Sequence, residues 1–285
     1  MSVRNNSQRL GTVEPAEHDT PPEKAPLENP LNFMVPTEFV DLPSKGRYYP
    51  PGHPLHEKDS IEIKFMTAKE EDILTSRSLL KKGVALDRML NNIIVDKRIK
   101  VEDLLIGDKN AVIIAARASA YGQEYTTKVT CPVCVETSQY SFNLEERRCV
   151  NQDPDDIKID GVTKTENNTF VISLPKCNVQ VEVKMLTGHE EKRIVEAVKK
   201  RSKKSDDILM TDQIRQYVVS VNGVVDRLTI DSFINSMPAA DSRFLRNTYM
   251  EIVPNVDMKQ NYICPSCDYE QEMEVPLTAD FFWPK

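Results

Sequence analysis

Long apolar runs are missing from this chain, and so is any excess of positive charge. No stretch approaches the roughly 20 apolar residues of a membrane span, and the first residues lack the apolar core of a secretory signal peptide. Asp and Glu total 44 against 37 Lys and Arg, and the pI is near 5.3. That balance carries no electrostatic footprint for general nucleic-acid binding. Histidine is scarce: His18 lies near the start, His53 and His56 in a Pro-rich stretch, and His189 before a helical pattern. No HExxH, GxSxG, GxGxxG or P-loop sequence occurs, so acid–base, nucleophilic and nucleotide-binding chemistry find no motif. The expected setting is a reducing cytosol, where cysteine pairs more often bind metal or act catalytically than form structural disulfides.

What is present is length enough for one large or two ordinary domains, and a short motif written twice. Cys131-Pro132-Val133-Cys134 and Cys264-Pro265-Ser266-Cys267 are the same CPxC knuckle, 133 residues apart. Two Cys-x-x-Cys hooks supply the four thiolates of a tetrahedral zinc site.

The sequence around the knuckles also repeats. Phe39-Val40-Asp41-Leu42-Pro43 answers to Phe170-Val171-Ile172-Ser173-Leu174-Pro175, and Ile61–Glu71 answers to Val181–Glu191. In the second pair both copies alternate apolar and charged residues, the pattern of a half-buried strand. Each then places a threonine three residues before a glutamate (Thr67 and Glu70, Thr187 and Glu190), the signature of a capped helix start. Beyond the knuckles Tyr140, Phe142 and Leu144 alternate as Met273, Val275 and Leu277 do. The offset is 120 residues at the strand and 133 at the knuckle, which leaves about 13 extra residues in the second copy. A repeat of this length exceeds the usual solenoid period of about 20–50 residues, so paired units are expected instead.

The resulting expectation is an α+β fold, internally duplicated, with mainly helical units that each carry short strands and a CPxC zinc knuckle. Residues 1–36, with six prolines among acidic and small polar residues, read as a disordered tail in which Leu31–Val35 is a docking segment or a lead-in. Residues 37–147 form the first repeat, 148–168 a linker punctuated by Asp153–Asp156 and Asn167-Asn168 turns, and 169–285 the second repeat. Helices are expected around Ile73–Ile93 and Val112–Ala116, and around Ile194–Val198 and Ile214–Val221. Gly83 and Gly107 mark helix ends or turns. The basic run Lys199–Lys204 reads as a solvated helix end or loop rather than a phosphate patch.

The cysteines admit three readings. Cys131, Cys134, Cys264 and Cys267 share one structural zinc that clips the two repeats. Alternatively each knuckle is completed separately by Cys149, Cys177 or His189. In the third reading CPxC is a dithiol redox site like that of glutaredoxins, although strand-like alternation rather than a helix follows each motif. The glutamate pairs Glu70-Glu71 and Glu190-Glu191 sit in first helical turns, where the macrodipole favours negative charge, and are helix starters rather than catalysts. The loop Leu42–Pro51, with Lys45, Arg47, Tyr48 and Tyr49 between prolines, reads as a stiff, exposed partner-docking strip or a Pro–Tyr-packed structural loop. The terminal Phe281-Phe282-Trp283-Pro284 packs back onto the second repeat or anchors a partner groove.

Taken in order, the Leu-Pro-Ser-Lys-Gly-x-Tyr-Tyr loop, the strand entering Met66–Leu74, the CPxC pair and Phe-Phe-Trp-Pro resemble the baseplate proteins of contractile-tailed phages. That family includes the T-even baseplate hub subunit and hub assembly proteins. The resemblance spans about residues 37–285 and implies a non-enzymatic role in building or forming the baseplate hub, with other hub or tail proteins as partners and no catalytic residues. It implies residence in the host cytoplasm during assembly or in the virion tail. A zinc-ribbon nucleic-acid-binding protein and a dithiol oxidoreductase are the competing functions; no small-molecule substrate and no membrane span are expected.

Overall fold

Alternation and capping decide where the first elements fall. β1 (Thr37–Asp41) and β2 (Ser60–Lys64) form an antiparallel pair in which Val40, Ile61 and Ile63 point into the core. The Thr67-Glu70 signature starts α1 (Ala68–Thr75): the Thr67 amide donates to Glu70 Oε2 at 2.9 Å. α2 (Arg77–Lys82) stops at Gly83, whose φ of +70° is the left-handed C-terminal turn that glycine adopts without a Cβ penalty. α3 (Ala85–Ile93) buries Met89, Leu90 and Ile93, and α4 (Ile106–Tyr121) buries almost every residue from Gly107 to Arg117. α4 is the central helix. It leads into β3 (Glu124–Thr130), which pairs with β4 (Thr137–Asn143) across the first knuckle. The computed structural model describes residues 35–146, 148–151, 153–201, 210–275 and 279–282. The expected tail up to residue 34, Ser202–Lys204 of the basic run and Trp283 lie outside the described residues.

The second half carries further strand pairs and helices. β7 (Phe170–Ser173) and β8 (Gln180–Val183) pair antiparallel, with Phe170, Ile172, Val181 and Val183 buried. Thr187 donates its amide to Glu190 Oε2 at 3.0 Å at the start of α5 (Gly188–Arg201). α6 (Met210–Tyr217), α7 (Arg227–Ser236) and α8 (Ala239–Ile252) follow, then β11 (Lys259–Ile263) and β12 (Glu270–Glu274) across the second knuckle. The fold is thus mixed helix and strand, with eight helices and small antiparallel sheets among the described residues.

Three expectations need revision. The spacing of Val218 and Val221 predicts a continued helix, but Val218–Val221 is β9, paired with β8. The valine-rich run suits an extended strand, and Asn222-Gly223, both at positive φ, turn the chain. The stretch 148–168 holds its turns, yet it also carries β5 (Arg148–Val150), paired with β10 (Asn255–Asp257), and β6 (Val162–Lys164), paired with β7. The terminal Phe281 does not settle on the second half. It packs edge-on against Tyr125 of β3 at 5.1 Å between ring centroids, and its carbonyl accepts from Arg117 Nε of α4 at 2.6 Å. A buried guanidinium that needs an acceptor and an aromatic that needs a dry surface satisfy each other there.

From Pro36 onward the chain forms one compact unit. Its halves meet closely at two glycines. A Cβ on Gly107, in the first turn of α4, would fall 2.0 Å from the Pro254 carbonyl oxygen. A Cβ on Gly188, in the first turn of α5, would fall 3.0 Å from Glu102 Cα. Beside this seam the Ile106 amide donates to the Leu186 carbonyl, and the Gly188 amide to that of Leu104. Lys109, almost fully buried, pairs with Asp87 at 2.8 Å and with Glu191 of α5 at 2.6 Å.

Candidate metal centre

Each knuckle is a six-residue loop between two antiparallel strands, and the two loops share one backbone plan. Cys131 N–H donates to the Glu136 carbonyl at 2.9 Å, as Cys264 N–H donates to that of Tyr269 at 2.9 Å. Val135 N–H returns to the Cys131 carbonyl at 3.0 Å, as Asp268 N–H returns to that of Cys264 at 3.0 Å. The residue after the second cysteine is left-handed in both loops: φ is 60° at Val135 and 56° at Asp268. This tight turn places both sulfurs of a knuckle on one side of the ribbon.

The ribbons then bring the two loops together. Tyr140 of β4 packs edge-on against Tyr262 of β11 at 4.9 Å, and its hydroxyl donates to the Asn261 carbonyl at 3.0 Å. The Gln260 side chain bridges the ribbons, accepting from Asn143 N–H at 3.0 Å and donating to the Asn143 carbonyl at 2.6 Å. With the strands so held, Cys131 Sγ lies 3.7 Å from Cys267 Sγ, and Cys134 Sγ lies 3.7 Å from Cys264 Sγ. All four sulfurs lie within 4.8 Å of one another.

This arrangement fits a tetrahedral zinc. Sulfurs bound at about 2.3 Å stand about 3.8 Å apart along a tetrahedron edge. The separation is far too long for a disulfide, whose S–S length is about 2.05 Å. Cys131 and Cys264 are buried and Cys134 and Cys267 exposed, so the cluster is embedded on one side and open to metal entry on the other. The amides of Ser266 and Cys267 draw the Cys264 thiol down, while desolvation and the neighbouring sulfurs push Cys134 and Cys267 up, so of these three it is Cys264 that most favours the thiolate that metal binding requires. When bound, zinc would supply a four-way cross-link between the ribbons, and four protein ligands leave no open position for a substrate.

The other cysteines and histidines go elsewhere. Cys149 sits in β5 against Val256. The Cys177 amide donates to Asp241 Oδ2 at 2.9 Å, and His189 Nε2 faces Asp103 Oδ1 at 2.9 Å. Among the described residues the four knuckle cysteines are the group that could hold a metal ion. The redox reading needs a helix dipole behind the first cysteine; here strands flank both motifs.

Of the two readings of the Leu42–Pro51 loop, the burial of its tyrosines matches the packed structural loop rather than the exposed aromatic strip. Tyr48 and Tyr49 are 8% and 2% exposed, and Ser44 is fully buried. The residue that turns the loop inward is Asp108, buried in the first turn of α4. Its carboxylate accepts from Ser44 N–H at 3.0 Å, Ser44 Oγ at 2.6 Å and Tyr49 Oη at 2.8 Å. Tyr49 also stacks on His53 at 4.5 Å, and Tyr48 leans on Phe170 across the seam at 6.3 Å. Lys45 is half-buried, while Arg47 stays exposed and pairs with Asp153. A buried acidic residue 64 positions from its serine gave no signal in the sequence.

A family model described as the T4 bacteriophage base plate protein matches residues 34–283, so the chain belongs to that family. No curated protein and no solved structure shows a significant match to the chain. No helix among the described residues is long and apolar enough to cross a membrane.

Proposed function

We propose that this phage baseplate protein is a non-enzymatic structural or assembly component of the tail hub, built from an internal duplication whose two units are clasped by one structural zinc. The observation that carries the functional reading is the family match over residues 34–283. The convergence of Cys131, Cys134, Cys264 and Cys267 at tetrahedral sulfur spacing supports the clasp.

Support for the duplication comes from elements recurring in order: an antiparallel strand pair, a Thr-Glu-capped helix, a long helix, and a knuckle ribbon. The partners would be other hub or tail proteins, met in the host cytoplasm during assembly and in the tail thereafter. Of the four docking candidates in the Leu42–Pro51 loop, Lys45 and Arg47 are left to touch a partner; Tyr48 and Tyr49 would act behind them, holding the loop's shape. Deleting the gene from the phage tests the reading. Loss of complete baseplates, restored by the gene supplied in trans, is the expected result; normal infectious tails from a clean deletion would overturn it.

A further inference from the structure

Next to the sulfur cluster lie two hydroxyls with nothing to bond to. Tyr262 of β11 is fully buried, and neither its Oη nor the buried Oγ of Ser138 in β4 has a hydrogen-bond partner of good geometry. Buried polar atoms in native proteins are rarely left so, and each one calls for an explanation. Tyr262 stands two residues before Cys264 and shares its buried face, and Ser138 stands two residues before Tyr140, the ring that packs on Tyr262. Its ring packs edge-on against Tyr140 in a fully buried position, away from water.

A thiol is a poor acceptor, whereas a metal-bound thiolate carries charge and accepts a hydrogen bond well. Four thiolates on one divalent cation leave a net double negative charge, and outer donors that share it hold the metal more tightly. We propose that the Tyr262 hydroxyl donates to the Cys264 thiolate in the metal-loaded protein, with Ser138 orienting the phenol from the opposite ribbon. Tyr262 is thus a positioning residue of the clasp, and the Ser138–Tyr262 pair makes it depend on both halves. The first ribbon has no equivalent, because the residue two before Cys131 is Val129. The arrangement is therefore one-sided and tied to Cys264.

This inference rests on the zinc clasp proposed above, and the test separates the two. The full chain, wild type and Tyr262→Phe, is titrated with Zn2+ against a chelator and with Co2+ to read the thiolate-to-cobalt charge-transfer band. The expected result is a roughly 10- to 100-fold loss of Zn2+ affinity, a shifted cobalt band, and an apo variant that melts no lower than the apo wild type. That opposition of sign distinguishes an outer-sphere donor from a merely structural hydroxyl, whose loss would weaken both states alike. Equal affinity and an unchanged band in a folded variant would overturn the inference and leave the clasp standing. A wild type that takes up neither metal would overturn the clasp itself, and the inference with it. If Tyr262→Phe fails to fold, Ser138→Ala decides the matter, since it leaves the ring packing intact: weaker Zn2+ binding and a shifted band support the inference, and no change overturns it.

Discussion

Asp241 stands to the Lys176 and Cys177 amides as Asp108 stands to the Ser44 amide. Each is the third residue of a long helix, fully buried, and each accepts from the backbone just after a Leu-Pro pair. Their separation of 133 residues equals that of the knuckles, so each long helix and the ribbon that follows it keep a common spacing in both halves. The carboxylates also lie where the helix dipole favours negative charge.

Removing Asp108 strands buried donors. Asp108→Ala leaves the Ser44 amide and the Tyr49 hydroxyl without their acceptor, at about 1–3 kcal/mol for each buried donor. Tyr49→Phe removes the hydroxyl that donates to Asp108 and accepts from the Leu105 amide at 3.1 Å, so it strands one buried donor, at about 1–3 kcal/mol, and should cost less than Asp108→Ala. Chemical denaturation of the two variants checks the ranking. A cost for Asp108→Ala no larger than that of Tyr49→Phe would show that the carboxylate does not organise the loop.

Acid stability should carry the signature of Glu190. Burial works against its charge, but hydrogen bonds from Lys184 and Thr187 hold its carboxyl down to about 2, from an ordinary value of 4.5. Between those values the unfolded chain binds a proton that the folded chain refuses, so stability from this group is full above about 4.5 and is lost as pH falls toward 2. Glu190→Gln should therefore be less stable than wild type at pH 7, with the gap narrowing through that window. Melting temperatures recorded against pH measure it. Metal release in acid affects both proteins alike, so curves that stay parallel would contradict the assignment.

Val135 is in a backbone region that disfavours a β-branched side chain, and its own side chain is 72% exposed, so little packing offsets the strain. The left-handed conformation costs an L-residue roughly 1–2 kcal/mol, part of which glycine returns as backbone entropy. Val135→Gly should stabilise the metal-loaded protein by up to about 1 kcal/mol. Asp268→Gly should change little, because aspartate tolerates this region better. Denaturation with excess Zn2+ present distinguishes the two; a destabilised Val135→Gly would mean that the valine makes contacts its exposure does not suggest.

Much of the architecture was written locally. The strand alternation at Ile61–Phe65 and Val181–Met185, the Thr-Glu helix starts and the Gly83 stop each depend on residues a few positions apart, and all were legible. The CPxC spacing marked the four cysteines that lie close enough to hold a metal ion, since ligand geometry is nearly a property of the motif. What could not be read depended on distant partners or on ambiguous periodicity. Val218 and Val221 stand three apart and so mimic a helical face, and only pairing with β8 makes them a strand. Tyr48 and Tyr49 among prolines and cations look like a surface strip until Asp108 turns them inward. Phe281 finds Tyr125 across 156 residues, a contact with no local trace.

One metal ion held jointly by both knuckles is the core of the proposed clasp, and metal stoichiometry puts it to the test. Native mass spectrometry of protein purified without added zinc, with Cys131→Ser and Cys264→Ser variants beside it, reads the number of ions per chain. One zinc in the wild type, lost or greatly weakened when either knuckle is altered, is the predicted result. Two zincs per chain, or one that survives intact in either single-knuckle variant, would contradict a shared clasp.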